Sequence, residues 1–206
     1  MPAPRRNQSA IGPLFQATFA WPYRFGVAGL CRLGARAWHV TLASLGCNIA
    51  AGWLLVDGQR FLPGVLLLPA GILDILDGGV ARQRGEAGRA GAFLDSVLDR
   101  VSDFIVFACL AWSLAGQGNV LAAALALASL AVSLMTSQIR AEAEAVGLSL
   151  TEGLFQRIER YVALMIGLTA PGALTPVLAI LTALGAITVA QRVASVWKAG
   201  RKRVPI

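Results

Sequence analysis

Long apolar runs separated by short polar breaks dominate the chain. They cover residues 40–56, 61–82, 92–114, 120–139, 161–168 with its flanks, and 174–193. A helix crossing the hydrocarbon core needs about 20 largely apolar residues, and these six stretches come near that. The fifth is the shortest, with Arg157, Glu159 and Arg160 in its first turns. Turn residues fill the breaks at 57–59, 85–91, 116–119 and 171–172. The pattern predicts an all-α integral membrane bundle of six transmembrane helices.

Ahead of the first run, residues 14–33 mix Phe15, Phe19, Trp21, Tyr23 and Phe25 with Arg24 and Arg32. That mixture suits an interfacial amphipathic helix lying in the headgroup layer. It lacks the compact apolar core and small-residue cleavage site of a secretory signal. The chain therefore divides into an N-terminal juxtamembrane segment (1–37), a six-helix transmembrane domain (38–197) and a basic tail (198–206).

Composition supports the membrane reading. Hydrophobic residues make up 56% of the chain and charged residues 14%, with a mean hydropathy of +0.66. Soluble domains carry roughly a quarter charged residues, so a disordered chain is excluded and a soluble globule fits poorly. Cys31, Cys47 and Cys109 lie far apart, which argues against a disulfide framework or a structural zinc site; they read as small apolar fillers. The net charge of +7 is distributed asymmetrically. With the N-terminus in the cytoplasm, every Lys and Arg except Arg60 and the intra-span Arg100 falls on the inner side. The positive-inside rule then puts both termini in the cytoplasm. The 198–203 cluster reads as an orientation signal and headgroup contact, not a nucleic-acid site. Trp21, Trp38, Trp53, Trp112 and Trp197 mostly fall near span ends, as an aromatic belt would. His39, the single histidine, reads as interfacial packing beside Trp38.

Of the eleven acidic residues, Asp74, Asp77, Asp95, Asp99 and Asp103 fall inside the second and third spans. A carboxylate at a bilayer centre costs about 2.5–3.5 kcal/mol, so a cluster needs a stabilising partner. Asp74 and Asp77 are three apart and Asp95 and Asp99 four apart, so each pair shares a helical face. The glycine-rich link between the spans brings the two pairs together antiparallel. At 4 Å and an effective dielectric of 20, each like-charge pair costs about 4 kcal/mol, so protons or cations must balance them. Oxygen-only ligands favour a hard cation, Mg²⁺ first and Mn²⁺ second. Two ions match four facing carboxylates, and such a pair clamps a phosphoryl group in an in-line displacement. Gly78 and Gly79 leave room beside the acidic face where a ligand would press. Ala81 is small, Arg82 can fork onto phosphate oxygens, and Gly91 opens the approach one turn before Asp95.

Written out, the run is Asp74-x-x-Asp77-Gly78-x-x-Ala81-Arg82, eight residues, then Gly91-x-x-x-Asp95-x-x-x-Asp99. It resembles the signature of the CDP-alcohol phosphotransferases at every specified position and spacing. The resemblance implies a membrane enzyme in which an acceptor hydroxyl displaces CMP from a CDP-linked lipid such as CDP-diacylglycerol. It also implies Asp74, Asp77, Asp95 and Asp99 as metal ligands, with Asp99 as general base. Gly78, Ala81 and Arg82 would line the cytidine and diphosphate site, and the enzyme would be a homodimer with its site facing the cytoplasm.

A second polar group surrounds Arg140, Glu142 and Glu144 at the end of the fourth span and Arg157 and Arg160 at the start of the fifth. Arg140, Arg157 and Arg160 converging on one cavity would suit a phosphorylated acceptor; a plain positive-inside flank is the alternative. Ser137 to Glu144, Gly147, the Arg157–Arg160 motif and Asp99-Arg100-x-Ser102-Asp103 resemble the phosphatidylinositol-phosphate synthase branch and its archaeal relatives. There the matching arginines hold the phosphate of inositol phosphate. Glu142 stands where that branch has a basic residue, Ile158 where it has proline, and Ala37-Trp38 where the family has Pro-Asn or Pro-Asp. Inositol phosphate leads as acceptor, with glycerol 3-phosphate or another polyol as alternatives. Asp103 is assigned to Arg100 or Arg140 rather than to metal. A small cation or proton transporter is the rival class, but the acidic pairs have no counterpart in spans five and six, as an inverted repeat would require.

Overall fold

The computed structural model of the chain describes residues 12–148 and 157–202, and all the regular structure among them is helical. The elements are α1 (Gly12–Arg32), α2 (Ala37–Val56), α3 (Phe61–Arg84), α4 (Arg89–Gly116), α5 (Val120–Ala145), α6 (Arg157–Thr169) and α7 (Leu174–Lys202). Arg5, Arg6, Gln156 and Arg203 lie outside the described residues.

Among the described residues, four helices are long and apolar enough to cross a membrane: α2, α3, α5 and α7 over Leu174–Ala199. The expected third and fifth spans are built differently. α4 is 28 residues long, about 42 Å at 1.5 Å per residue, but the stretch from Arg89 to Asp103 carries Arg89, Asp95, Asp99, Arg100 and Asp103. α6 has 13 residues in its described part, about 20 Å against a hydrocarbon core of about 30 Å. Both still pack inside the bundle: α4 lies against α2 and α5, and α6 against α3 and α7.

One continuous core joins α2 to α7. Leu55, Leu67, Phe107, Leu110, Leu164 and Leu178 are among its fully buried members. Polar groups inside it are satisfied locally, as a medium without water demands. Ser44 donates to the Ala70 carbonyl at 2.9 Å, Asn48 to the Ser44 carbonyl at 2.9 Å, and Tyr161 to Asn48 Oδ1 at 3.0 Å. This chain ties α2 to α3 and α6.

A smaller cluster of Val27, Val40 and Val80, with Tyr23 and Leu76 beside it, fastens α1 onto α2 and α3. The outer face of α1 carries exposed Trp21 and Phe25, stacked with centroids 5.8 Å apart. That is the face an interfacial helix would set against lipid. His39 accepts a hydrogen bond from the Arg36 backbone N–H at 3.1 Å and its ring lies 3.8 Å from that of Trp38. It caps α2 as well as packing there. Gly85, at φ +69°, closes α3 in the left-handed conformation that glycine adopts without penalty.

Candidate active site

α2 packs against both α3 and α4, whereas the backbones of α3 and α4 stay apart. α2 is thus the shared support, and a cleft separates the two acidic helices. Asp74 from α3 and Asp95 and Asp99 from α4 face each other across it. One carboxylate oxygen from each lies within 4.8 Å of the other two, and all three side chains are half-buried. Asp77 is buried, with 5% exposure. It stands within coulombic reach of Asp74 and Asp95, and Thr41 of α2 donates a 2.8 Å hydrogen bond to its Oδ2. The sequence reading missed Thr41, although its place at the start of the first span puts it level with the end of the second.

This donor set fits a hard cation. Octahedral Mg²⁺ with bonds of about 2.0–2.1 Å holds its oxygens about 3 to 4 Å apart, a spacing that three carboxylates within 4.8 Å reach with small side-chain movement. Thr41 leaves one oxygen of Asp77 to contribute alongside them.

The other motif residues line the same region. Arg82 donates to the Tyr23 hydroxyl at 2.8 Å, and its guanidinium lies over Gly78, 3.4 Å from where a Cβ would stand. A methyl group at residue 78 would meet this arginine at ordinary van der Waals distance. A Cβ on Gly91 would meet nothing within 4 Å, so the entrance on α4 is open. Ala81 is partly buried beside Arg82. Gly79 does something other than the ligand clearance expected of it: α1 approaches α3 there, and a Cβ would lie 2.6 Å from Val27 Cγ2 and closer still to the Tyr23 hydroxyl. Gly79→Ala should therefore push α1 off α3 and release Arg82 from Tyr23. The expected result is a melting temperature in detergent lowered by several degrees and a severalfold higher KM for the lipid donor, both read on purified protein.

One turn beyond Asp99, the assignment of Asp103 is corrected. It is held neither by Arg100, which folds back onto Ser96 at 2.7 Å, nor by Arg140, which pairs with Glu144 at 3.1 Å. Its partner is Arg160 of α6, with Nη2 2.9 Å from Asp103 Oδ2, and Ser133 of α5 donates to the same oxygen. Sequence gives no signal for this pair, which joins positions 57 residues apart. Arg192 of α7 was also missed, because it reads as an ordinary inner-side flank. It donates to the Thr136 carbonyl at 2.6 Å and lies within electrostatic reach of Arg140, Arg160 and Glu144. Three arginines from α5, α6 and α7 thus gather together, and Arg160 among them meets α4 at Asp103, one turn from Asp99. The Arg157 side chain lies outside the described part of the structure.

An all-helical bundle with apolar spanning helices, a carboxylate-lined cleft and adjoining arginines defines a membrane enzyme that handles phosphate groups. The family model for CDP-alcohol phosphatidyltransferases matches residues 36–197, and the chain belongs to that family. Among curated proteins it is 34% identical over 174 residues to the archaetidylinositol phosphate synthase of Methanothermobacter thermautotrophicus, covering 81% of this chain and 86% of that protein. It is also 34% identical over 194 residues to the phosphatidylinositol phosphate synthase of Mycobacterium marinum, covering 89% and 83%. A crystal structure of the Mycobacterium tuberculosis phosphatidylinositol phosphate synthase with CDP-DAG bound superposes with a TM-score of 0.76 at 31% identity, covering 85% of this chain and 93% of that one. The same enzyme in complex with manganese and citrate gives 0.72 at 33% identity, covering 83% and 87%.

Proposed function

We propose that this chain transfers the phosphatidyl group of a CDP-diacylglycerol-like lipid to a hydroxyl of a phosphorylated polyol, inositol phosphate, and releases CMP. The observation that carries the acceptor assignment is the gathering of Arg140 and Arg192 with Arg160, whose ion pair with Asp103 stands one helical turn from Asp99. Guanidinium groups recognise phosphate through paired hydrogen bonds, a contact that an unphosphorylated polyol could not make. The relatives named for inositol phosphate products support the same choice over glycerol 3-phosphate.

In this reading residues 38–197 form a six-helix membrane domain, with α4 and α6 completing the four apolar spans. Residues 1–37 lie at the interface and 198–206 form a basic tail. Both termini and the site face the cytoplasm, and a second copy of the chain completes a homodimer, as the family resemblance implies. Asp74, Asp77, Asp95 and Asp99 would hold two divalent cations, Mg²⁺ or Mn²⁺. Bound there, the ions supply Lewis-acid stabilisation of phosphoryl oxygens.

The remaining work falls to the chain itself. Arg82, steadied by Tyr23, contacts the diphosphate, while Gly78, Ala81 and Gly91 leave room for the CDP group. The arginines seat the acceptor phosphate and so orient its hydroxyl toward the cleft. Asp99 takes the hydroxyl proton as the new phosphoester bond forms and the bond to CMP breaks. The test is CMP release by purified protein with CDP-diacylglycerol, Mg²⁺ and a panel of acceptors. We expect lipid product with inositol phosphate and little with free inositol, and product only with glycerol 3-phosphate would reassign the acceptor. Arg192→Ala should raise the inositol phosphate KM about 10- to 100-fold and leave the donor KM within twofold.

A further inference from the structure

Asp103 is a nearly fully buried carboxylate in a membrane bundle, and the metal and donor chemistry makes no use of it. Its side chain is 5% exposed and that of its partner Arg160 is 14% exposed. Both cost free energy to bury, and a buried ion pair seldom stabilises a fold more than apolar residues of the same volume would. A functional reason is therefore worth seeking in what the pair orients.

The local geometry supplies one. Asp103 Oδ2 receives two hydrogen bonds, from Arg160 Nη2 at 2.9 Å and from the Ser133 hydroxyl. Ser133 thereby fixes the carboxylate, and the carboxylate fixes one edge of the guanidinium. The ion pair engages only the Nη2 end of the guanidinium: Arg160 Nε is buried with no hydrogen-bond partner among the described residues. Arg160 also lines a small, mostly apolar cavity with Phe107, Val132 and Leu181 and the hydroxyl residues Ser129 and Ser133, large enough for about one water molecule. Charge points the same way. Arg140, Arg160 and Arg192 repel one another, and Asp103 and Glu144 offset two of the three charges. The cluster is thus held together by its own carboxylates before any acceptor binds. Asp103 lies one helical turn from Asp99, about 6 Å along α4. The Arg160 contact and the proposed base thus lie on one helix within about one turn of each other.

We propose that Asp103 is a positioning residue for the acceptor: through its ion pair with Arg160, fixed by Ser133, it presents the guanidinium to the phosphate of the acceptor alcohol. The proposal rests on the acceptor reading given above. The experiment is a double-mutant cycle on full-length protein in detergent or nanodiscs, with acceptor KM, donor KM, kcat and melting temperature measured for each variant. Asp103→Asn should raise the inositol phosphate KM at least about tenfold, with the donor KM and the melting temperature little changed. In an Arg160→Ala background the same substitution should add nothing, because the two residues act as one unit. Asp103→Glu keeps the charge and should recover part of the lost affinity; it also serves as the working variant if Asp103→Asn fails to fold.

Three results overturn the proposal. One is additive effects of Asp103→Asn and Arg160→Ala, and another is an Asp103→Asn effect on the donor KM equal to that on the acceptor KM. The third is a normal acceptor KM in Asp103→Asn while Arg160→Ala is impaired, which leaves the acceptor reading standing. If Arg160→Ala itself leaves the acceptor KM unchanged, the acceptor reading fails as well.

Discussion

Asp99→Asn should lower turnover by at least about a thousandfold without unfolding the protein. An amide has the shape of the carboxylate but cannot take a proton at neutral pH, and general-base catalysis contributes about 10²- to 10⁴-fold. The substitution also removes one negative oxygen from the set that faces Asp74 and Asp95 within 4.8 Å, so cation affinity falls with it. The fold has no reason to suffer. Asp99 is half-buried at the cleft wall, and replacing one of several mutually repelling carboxylates by a neutral group relieves repulsion. Steady-state CMP release and a thermal melt without metal are the two measurements. Lost turnover with an unchanged or higher melting temperature is the expected combination. Normal turnover would place the base elsewhere.

What the sequence revealed and what it hid follow a physical division. The carboxylate cluster was legible because it is a local matter: three- and four-residue spacings set a helical face, and the cost of charge in lipid marks such a face as purposeful. Apolar runs marked α2, α3, α5 and α7 for the same reason. Contacts between distant segments were not legible. Asp103 and Arg160 meet directly across the bundle, with Ser133 of α5 donating to the same carboxylate oxygen, and nothing near either residue in sequence announces that. Arg100, the nearer partner on paper, finds the Ser96 carbonyl and hydroxyl within its own helix.

Gly78 and Gly79 show the limit at the level of single residues. Side by side in the sequence, they invite one explanation, but helical geometry turns them about 100° apart. Gly78 lies under Arg82 in the site, while Gly79 receives α1. Arg192 was hidden by a different ambiguity, since orientation signal and ligand contact call for the same residue type. Only the convergence of α5, α6 and α7 separates it from the basic tail beyond it.

Removing divalent cations should abolish turnover and loosen the bundle together, because one set of carboxylates serves both. With carboxylate oxygens within 4.8 Å, each like-charge pair costs about 3 kcal/mol at an effective dielectric of 20. Asp77, buried and held by Thr41, adds to that repulsion, and a cation bound only by the folded state offsets it. At a hundred times its Kd, such a ligand stabilises by about 2.7 kcal/mol. For a chain of this size that corresponds to a rise in melting temperature of about 5–10 °C. We therefore expect exhaustive chelation to stop CMP release, Mg²⁺ or Mn²⁺ to restore it, and either ion to raise the melting temperature in detergent by several degrees. The rise should shrink in Asp74→Asn, Asp95→Asn and Asp99→Asn, and persist in Asp103→Asn, whose carboxylate belongs to Arg160 rather than to the cleft. Turnover that survives chelation, or a metal-induced shift that disappears in Asp103→Asn while persisting in the other three, would show that the ions are held somewhere else.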